Sequence, residues 1–336
     1  MKNSLDSIVR RGLEALDEDD LDAAQRALDD ATKLAGENHA RVLHLAGMLA
    51  WAEGRVDNAA GYLMQAVDQG AEEPEVYLDC AEILFLHGDD LDQAEAIIRS
   101  LLERTDLPAE AVDEGRLLLA QIRLDDDDPD EACELLEQVS AETRDHVAFL
   151  STYGAVMMAL GREGDAVHAL EKAVAAAPDD ADLHYQLGLT RGAVGDHVGA
   201  AAAMVRVREL DAAEVESEPV SDEEVTELRA GLEDVMEELP DPLMRMLANA
   251  PISVQDRPTV DQVRAGVNPR GVIAFVGRPK TDDQEAELAG IVVMRDILID
   301  TIDDDDEIQE AMIVGLLEEV RRFFREESLG MASVEE

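Results

Sequence analysis

The stretch VAFLSTYGAVMMALGREGDAVHALEKAVAAAPDD, residues 147–180, decides the fold of most of this chain. Its apolar residues fall at helical spacing on both sides of Gly161, which predicts two short helices joined by a glycine turn. Gly154 and Ala166 are small at the point where the two helices meet, so their backbones can approach closely. Pro178 ends the second helix, because proline cannot continue a helix. Neither apolar stripe is fully buried by the other helix, so the pair needs neighbours.

The same pattern recurs along the first 214 residues and predicts six helix pairs. Their ranges are Leu5–Asn38, Ala40–Glu73, Glu75–Asp106, Asp113–Ala141, Val147–Asp180 and Ala181–Glu214. A glycine stands at the same point of four of them, namely Gly12, Gly47, Gly154 and Gly188. This regular spacing predicts a right-handed superhelix of stacked hairpins over residues 1–214.

The repeated unit resembles the tetratricopeptide repeat. The residues that match its pattern of Leu, Gly, Tyr, Ala, a large apolar residue and Pro are Leu150, Tyr153, Gly154, Met157, Ala166, Leu170 and Pro178. The resemblance implies an α-helical solenoid whose first helices line a groove for extended peptides or partner helices. The positions that would line it hold Arg41, His44, Met48, Trp51, Asp79, Ile83, His87, Ser151, Met158, Tyr185 and Leu189.

Two details of this groove bear on its partner. Trp51 is either an exposed anchor for a partner or a side chain packed between neighbouring repeats. Members of the family that bind acidic C-termini use Lys and Asn in the first repeat, whereas Val9 and Leu13 stand at those positions here. We therefore expect that acidic clamp to be absent.

The composition restricts the class of partner and the compartment. A net charge of -50 repels nucleic acid and anionic lipid, so we expect neither as a partner. Cys80 and Cys133 lie in apolar helical contexts, which predicts two reduced thiols inside the fold. The chain shows neither a signal-peptide pattern at its start nor a membrane-spanning apolar run, which predicts a cytoplasmic protein.

A second domain follows a charged linker at 215–220. Ser221 and Glu224 form a capping-box sequence for a helix that Pro240 ends. The β-branched runs at 252–254, 272–276 and 291–294 predict short strands, and an amphipathic helix is expected over 307–326. Residues 221–330 are therefore predicted to form a small α+β domain, followed by a tail at 331–336.

This domain resembles the minimal zincin-like metallopeptidase family. The phrases that carry the resemblance are ELPDPLMRMLANAPISVQDRP (238–258), GVIAFVGRP (271–279) and AMIVGLLEEVRRFF (311–324). The family's HExxHxxG motif would bind zinc through its two His and activate water through its Glu. By position, Glu318 and Arg322 replace the two His, Arg325 replaces the Gly, and only Glu319 is retained.

All seven histidines precede residue 200 and both cysteines precede residue 134, so this domain contains no imidazole or thiolate. We therefore expect no metal, no other cofactor and no catalytic residue, with Glu319 vestigial. One interpretation of the helix is a solvated face with a Glu318–Arg322 pair. The other is a peptide-binding cleft in which Arg322 receives a carboxylate. The acidic runs at 125–128 and 303–306 are interpreted as helix caps rather than calcium sites.

The sequence as a whole predicts a protein-interaction scaffold with a zincin-like domain that recognises without cleaving. The alternative is a zinc-dependent metallopeptidase that its repeats direct to substrates.

Overall fold

A computed structural model describes residues 2–87, 91–214, 220–281, 284–301 and 305–325. The chain divides into two compact units, Met1–Ala176 and Ala177–Glu336. The predicted boundary lay between 214 and 221, whereas the division falls between the fifth and sixth helix pairs. The sixth pair thus belongs to the second unit.

The first unit consists of five successive helix pairs. Its helices are α1 (Lys2–Asp17), α2 (Leu21–Ala35), α3 (Ala40–Ala52), α4 (Val56–Asp68), α5 (Pro74–His87), α6 (Leu91–Leu102), α7 (Ala109–Asp125), α8 (Pro129–Glu137), α9 (Val147–Ala159) and α10 (Glu163–Ala176), with a 3-10 turn at Thr143–Asp145. The pairing and the approximate bounds agree with the prediction from the repeat.

The helices begin where the sequence offers caps. Asp20 accepts a hydrogen bond from the Ala23 amide at the start of α2, at 2.8 Å. Asp128 does the same for Glu131 at the start of α8, at 3.1 Å. Each side chain satisfies an amide that has no partner within its own helix. The acidic run at 125–128 thus supplies a helix cap, as expected.

Close approach of the two helices in a pair depends on the recurring glycines. A Cβ at Gly47 would lie 2.7 Å from Cγ of Leu63, and one at Gly154 would lie 2.8 Å from Cγ of Leu170. A large side chain of the second helix fills the space above each glycine. Since real Cβ atoms do not approach carbon this closely, only glycine fits there without a shift of its neighbours. Leu63 and Leu170 are buried as a result.

The fourth pair, which keeps the pattern least well, is held by a polar link. Asp113 is buried on α7 and accepts hydrogen bonds from the Ser140 amide (3.1 Å) and the Thr143 hydroxyl (2.8 Å). Burial alone would raise the pKa of Asp113, but the bonds from Ser140 and Thr143 outweigh it and lower the pKa below its usual value. A carboxylate thus orders the connection after α8.

The second unit joins the sixth helix pair to a small α+β domain. Its elements are α11 (Ala181–Ala193), α12 (His197–Glu214), α13 (Asp222–Glu238), α14 (Asp241–Leu247), β1 (Ile252–Gln255), α15 (Val260–Arg264), β2 (Ile273–Arg278), β3 (Glu287–Met294), α16 (Arg295–Thr301) and α17 (Asp305–Phe324). The structure confirms the capping box at Ser221, the three strands and the final helix. It adds the short helices α14, α15 and α16. The acidic run at 303–306 lies partly outside the described residues.

The three strands form one sheet in the order β1-β3-β2, with β1 parallel and β2 antiparallel to β3. Alternate residues bury opposite faces of the sheet. Ile273, Phe275 and Ile291 join the main core with α13, α14 and α17, where Phe275 contacts Phe323 edge to face. Ala274 and Val292 belong to a smaller cluster on the other face.

We predict that Gly47→Ala and Gly61→Ala have opposite effects on stability. At Gly47 the new methyl must displace Leu63, at a cost of about 1–3 kcal/mol in the free energy of unfolding. Gly61 lies inside α4 with no atom within 4 Å of its added Cβ, so alanine there stabilises by about 0.5–1 kcal/mol. Urea unfolding of both variants provides the measurement. Equal effects at the two sites would contradict this account of the packing.

Candidate functional site

Helix α3 carries four of the predicted groove residues: Arg41, His44, Met48 and Trp51. Arg41 lies at the start of the helix between two carboxylates, with its Nε 3.5 Å from Glu73 and 4.0 Å from Asp6. Its side chain is 14% exposed. A cavity of about 630 Å³ opens beside it, lined in part by Leu5, Leu34 and Ala71.

His44 is buried and joins α3 to α5. Its Nε2 lies 2.6 Å from Oδ2 of Asp79, a distance typical of a strong hydrogen bond. Asp79 remains 27% exposed while His44 is 1% exposed. His44 therefore positions Asp79, and Asp79 is the member of the pair that a partner can reach.

Met48 and Trp51 are half-buried, and both pack against the apolar core that α3 to α7 enclose. Trp51 thus takes part in the packing between repeats, one of the two roles expected of it. A half-buried ring keeps some surface available, so packing does not exclude contact with a partner.

The other predicted groove residues lie on α5, α9 and α11. Ile83 is buried, whereas Ser151 and Met158 are half-buried on α9. His87 ends α5, but its side chain lies outside the described part of the chain. Tyr185 is half-buried and Leu189 exposed on α11, in the second unit.

A group of carboxylates that the sequence analysis did not single out surrounds Asp79. We call it the acidic face; it consists of Glu75, Asp79 and Glu82 on α5 and Glu110 and Glu114 on α7. The sequence contains the pattern that predicts this group. Glu75, Asp79 and Glu82 stand at helical spacing, and so do Glu110 and Glu114.

Burial and mutual repulsion raise the pKa of two acids of the acidic face. Burial raises the pKa of Glu114, and the charges of Glu110, Glu75 and Asp79 raise it further. Burial and the charge of Asp79 raise the pKa of Glu82 in the same way.

Burial, followed by the charges of Asp79 and Asp68, raises the pKa of the Cys80 thiol to about 12, so this cysteine is unreactive at neutral pH. Both cysteines are free thiols; Cys80 is buried, as expected, whereas Cys133 is only half-buried.

We predict that Glu114→Gln stabilises the protein at pH 7. A carboxyl whose pKa is raised by folding contributes stability below its unfolded pKa of about 4.3, and that contribution is lost as the pH rises through the folded pKa. Glutamine removes the repulsion, so its advantage exists at pH 7 and disappears near pH 4. Thermal unfolding at both pH values measures the difference. The control is Glu142→Gln, at an exposed loop acid; an equal gain there would indicate only the general effect of a lower net charge.

In the second unit, Glu319 is a buried structural residue. Its Oε2 accepts a hydrogen bond from the Phe275 amide of β2 at 2.7 Å. Arg322 donates to both oxygens, through Nε at 2.6 Å and Nη2 at 2.7 Å. Glu319 is 5% exposed, and these three bonds occupy its carboxylate. The residue links α17 to the sheet.

This geometry corrects the expected partner of Arg322. Glu318 is exposed, and Arg322 pairs with Glu319 three residues before it rather than with Glu318. The helix face is therefore partly buried instead of fully solvated. Arg322 does receive a carboxylate, but from its own helix. Within the described ranges, no three His, Cys, Asp or Glu side chains lie close enough together to hold a metal.

We predict that Glu319→Ala destabilises the protein by about 2–4 kcal/mol, because it leaves the Phe275 amide and a half-buried guanidinium without their partner. Glu318→Ala, one residue earlier and exposed, changes the free energy of unfolding by less than about 0.5 kcal/mol. Urea titration of the two variants measures both values. A Glu319→Ala protein as stable as the Glu318→Ala protein would show that this link is dispensable.

Comparison with known proteins identifies the type of repeat. A tetratricopeptide repeat model matches residues 123–187, from the end of α7 to the middle of α11. The match ends before the α+β domain. A search of curated proteins finds no significant match to this chain.

Solved structures show the same helical architecture at low sequence identity. PilF of Pseudomonas aeruginosa is 14% identical with a TM-score of 0.53, covering 62% of this chain and 92% of PilF. PilW, described as a widely conserved type IV pilus biogenesis factor, is 15% identical with a TM-score of 0.54, covering 61% and 93%. The APC/C hetero-tetramer Cut9-Hcn1 gives 14% identity and a TM-score of 0.50, covering 61% of this chain and 40% of that one. These likenesses show that the chain has the fold of a helical solenoid. Among the described helices, none is long and apolar enough to cross a membrane.

Proposed function

We propose that the protein is a protein-interaction scaffold whose first unit binds a basic, extended segment of a partner. The observation that carries the proposal is the acidic face around Asp79, where five carboxylates lie on two neighbouring first helices and where burial, followed by like charges, raises the pKa of Glu82 and Glu114. Proteins with repeat solenoids commonly bind partners along their first helices, and Asp79 and Glu82 lie on such a helix.

Electrostatics favours a cationic partner. A lysine or arginine placed between α5 and α7 would replace repulsion with attraction to several carboxylates at once. Met48 and Trp51, on the neighbouring helix α3, offer half-buried apolar surface for side chains that accompany the cation. An acidic or nucleic-acid partner would add to the repulsion already present.

We predict that a fluorescent peptide of alternating lysine and leucine binds the full chain and that neutralising the acidic face weakens its binding at least about tenfold. The variant combines Asp79→Asn, Glu82→Gln and Glu114→Gln. A matched control combines Asp29→Asn, Glu37→Gln and Glu142→Gln, which removes the same charge at exposed positions elsewhere. Fluorescence anisotropy at physiological salt measures both affinities.

The peptide experiment has two outcomes that contradict the proposal. If the control weakens binding as much as the acidic-face variant, attraction is a property of the whole -50 surface rather than of a site. If a glutamate–leucine peptide binds as tightly as the lysine peptide, charge does not select the partner.

We further propose that the α+β domain is a zincin-like module that no longer cleaves peptides. Two features support this: the motif positions hold Glu318 and Arg322 in place of imidazoles, and the retained Glu319 is occupied by Phe275 and Arg322. A carboxylate held in this way is not available to polarise water. The alternative, a metallopeptidase directed by its repeats, requires about one zinc per purified chain and peptide hydrolysis that a chelator stops.

A further inference from the structure

The sixth helix pair binds an arginine side chain from the α+β domain of the same unit. Arg270 donates to both oxygens of Asp211 on α12, through Nε at 2.8 Å and Nη2 at 2.9 Å. Its Nη1 donates to Oδ1 of Asp182 on α11 at 2.6 Å. The guanidinium carbon lies 5.4 Å from the centre of the Tyr185 ring.

These contacts match the chemistry of arginine and not of lysine. A planar guanidinium can form the paired bonds to Asp211 and at the same time lie over an aromatic ring, whereas an ammonium is a point charge that cannot do both. The hydrogen bond with Asp211, followed by that with Asp182, raises the pKa of Arg270 above its usual value despite partial burial. The α11–α12 pair is thus built to hold a guanidinium.

The arginine is accessible, and the segment that carries it has other attachments. The Arg270 side chain is 35% exposed and that of Asp182 is 76% exposed. Asn268 donates to the Tyr185 hydroxyl at 3.1 Å, and Arg208 donates to the carbonyl of Pro258 at 2.9 Å. The Arg270 side chain can therefore leave while the segment stays close to the helices.

We propose that α11 and α12 form an arginine-binding site, which Arg270 fills when no partner is present and a partner's arginine fills on binding. The proposal rests on the proposed function as a scaffold and adds a second, more selective contact to it. Tyr185 stands at a position where the repeat pattern predicted a partner-facing residue. In this structure Arg270 of the same chain lies over the Tyr185 ring, where a partner's side chain would lie.

An internal ligand lowers the apparent affinity for an external one. The site is open only for the fraction of time that Arg270 is displaced, and the apparent dissociation constant rises by the inverse of that fraction. Because the tether keeps Arg270 at a high effective concentration, an isolated arginine competes poorly. A partner segment that makes further contacts of its own gains the affinity needed to displace it.

The test compares full-length wild type with Arg270→Ala. The probes are two fluorescein-labelled Gly-Ser peptides, one with two arginines and the other with two lysines. We expect Arg270→Ala to bind the arginine peptide about tenfold more tightly than wild type and the lysine peptide with a smaller gain. Arg264→Ala is the matched control, because Arg264 is an exposed residue of α15 that forms an ion pair with Asp261 and the charge change is the same. It should leave both affinities unchanged.

Three results would overturn the proposal: no gain in Arg270→Ala, an equal gain for both peptides, or an equal gain in Arg264→Ala. Adding Tyr185→Ala to Arg270→Ala should remove the gain, and its persistence would also count against the site. If Arg270→Ala does not fold, Arg270→Lys replaces it in the test, because it keeps a cation beside Asp211. We expect this variant to gain less affinity, and to gain it for the arginine peptide only. The lysine–leucine peptide tests the acidic face separately. If the acidic-face variant loses affinity for that peptide while Arg270→Ala shows no gain for the arginine peptide, the proposed function stands and this inference alone is refuted.

Discussion

Two helix pairs of the first unit, α3–α4 and α9–α10, depend on a close contact between a glycine backbone and a leucine side chain. Leu63 lies over Gly47 and Leu170 over Gly154 at distances that leave no room for a Cβ. This contact sets the separation of the paired helices, and the separation decides which residues point outward from the first helices. Asp79, Glu82 and Glu114 lie outside these two pairs, on α5 and α7, where the carboxylates repel one another.

The residues that pack the interior are thus different from those that carry the charge on the surface. Apolar residues, many of them alanine, form the interior, so the surface is free to become acidic without loss of the core. Where a cation is needed, the fold uses arginine and gives it carboxylate partners, as with Arg41 between Asp6 and Glu73 and Arg270 between Asp182 and Asp211. The acidic face differs, because the charges that act on Glu82 and Glu114 there are those of other carboxylates. This concentration of like charge makes it a candidate for binding a cationic partner.

The sequence predicted the helix pairs, the three strands and the final helix, because these follow from local spacing of apolar residues and from caps. It did not place the boundary before the sixth pair. Arg270 contacts residues 59 and 88 positions earlier in the chain, and no local pattern encodes such a contact. The same limit explains Glu319. Spacing along the helix favours Glu318 as the partner of Arg322, but the Phe275 amide, 44 residues away, draws Glu319 inward and the arginine follows.

The bond between Glu319 and Phe275 has a further consequence for the small sheet. Strand β2 forms one edge of the sheet, and an unpaired amide on an edge strand is a template for β-strand addition by another chain. The Glu319 carboxylate occupies the Phe275 amide, and α17 lies against the strand. A second chain therefore cannot pair with the Phe275 amide, and the carboxylate of Glu319 closes this part of the sheet edge to strand addition.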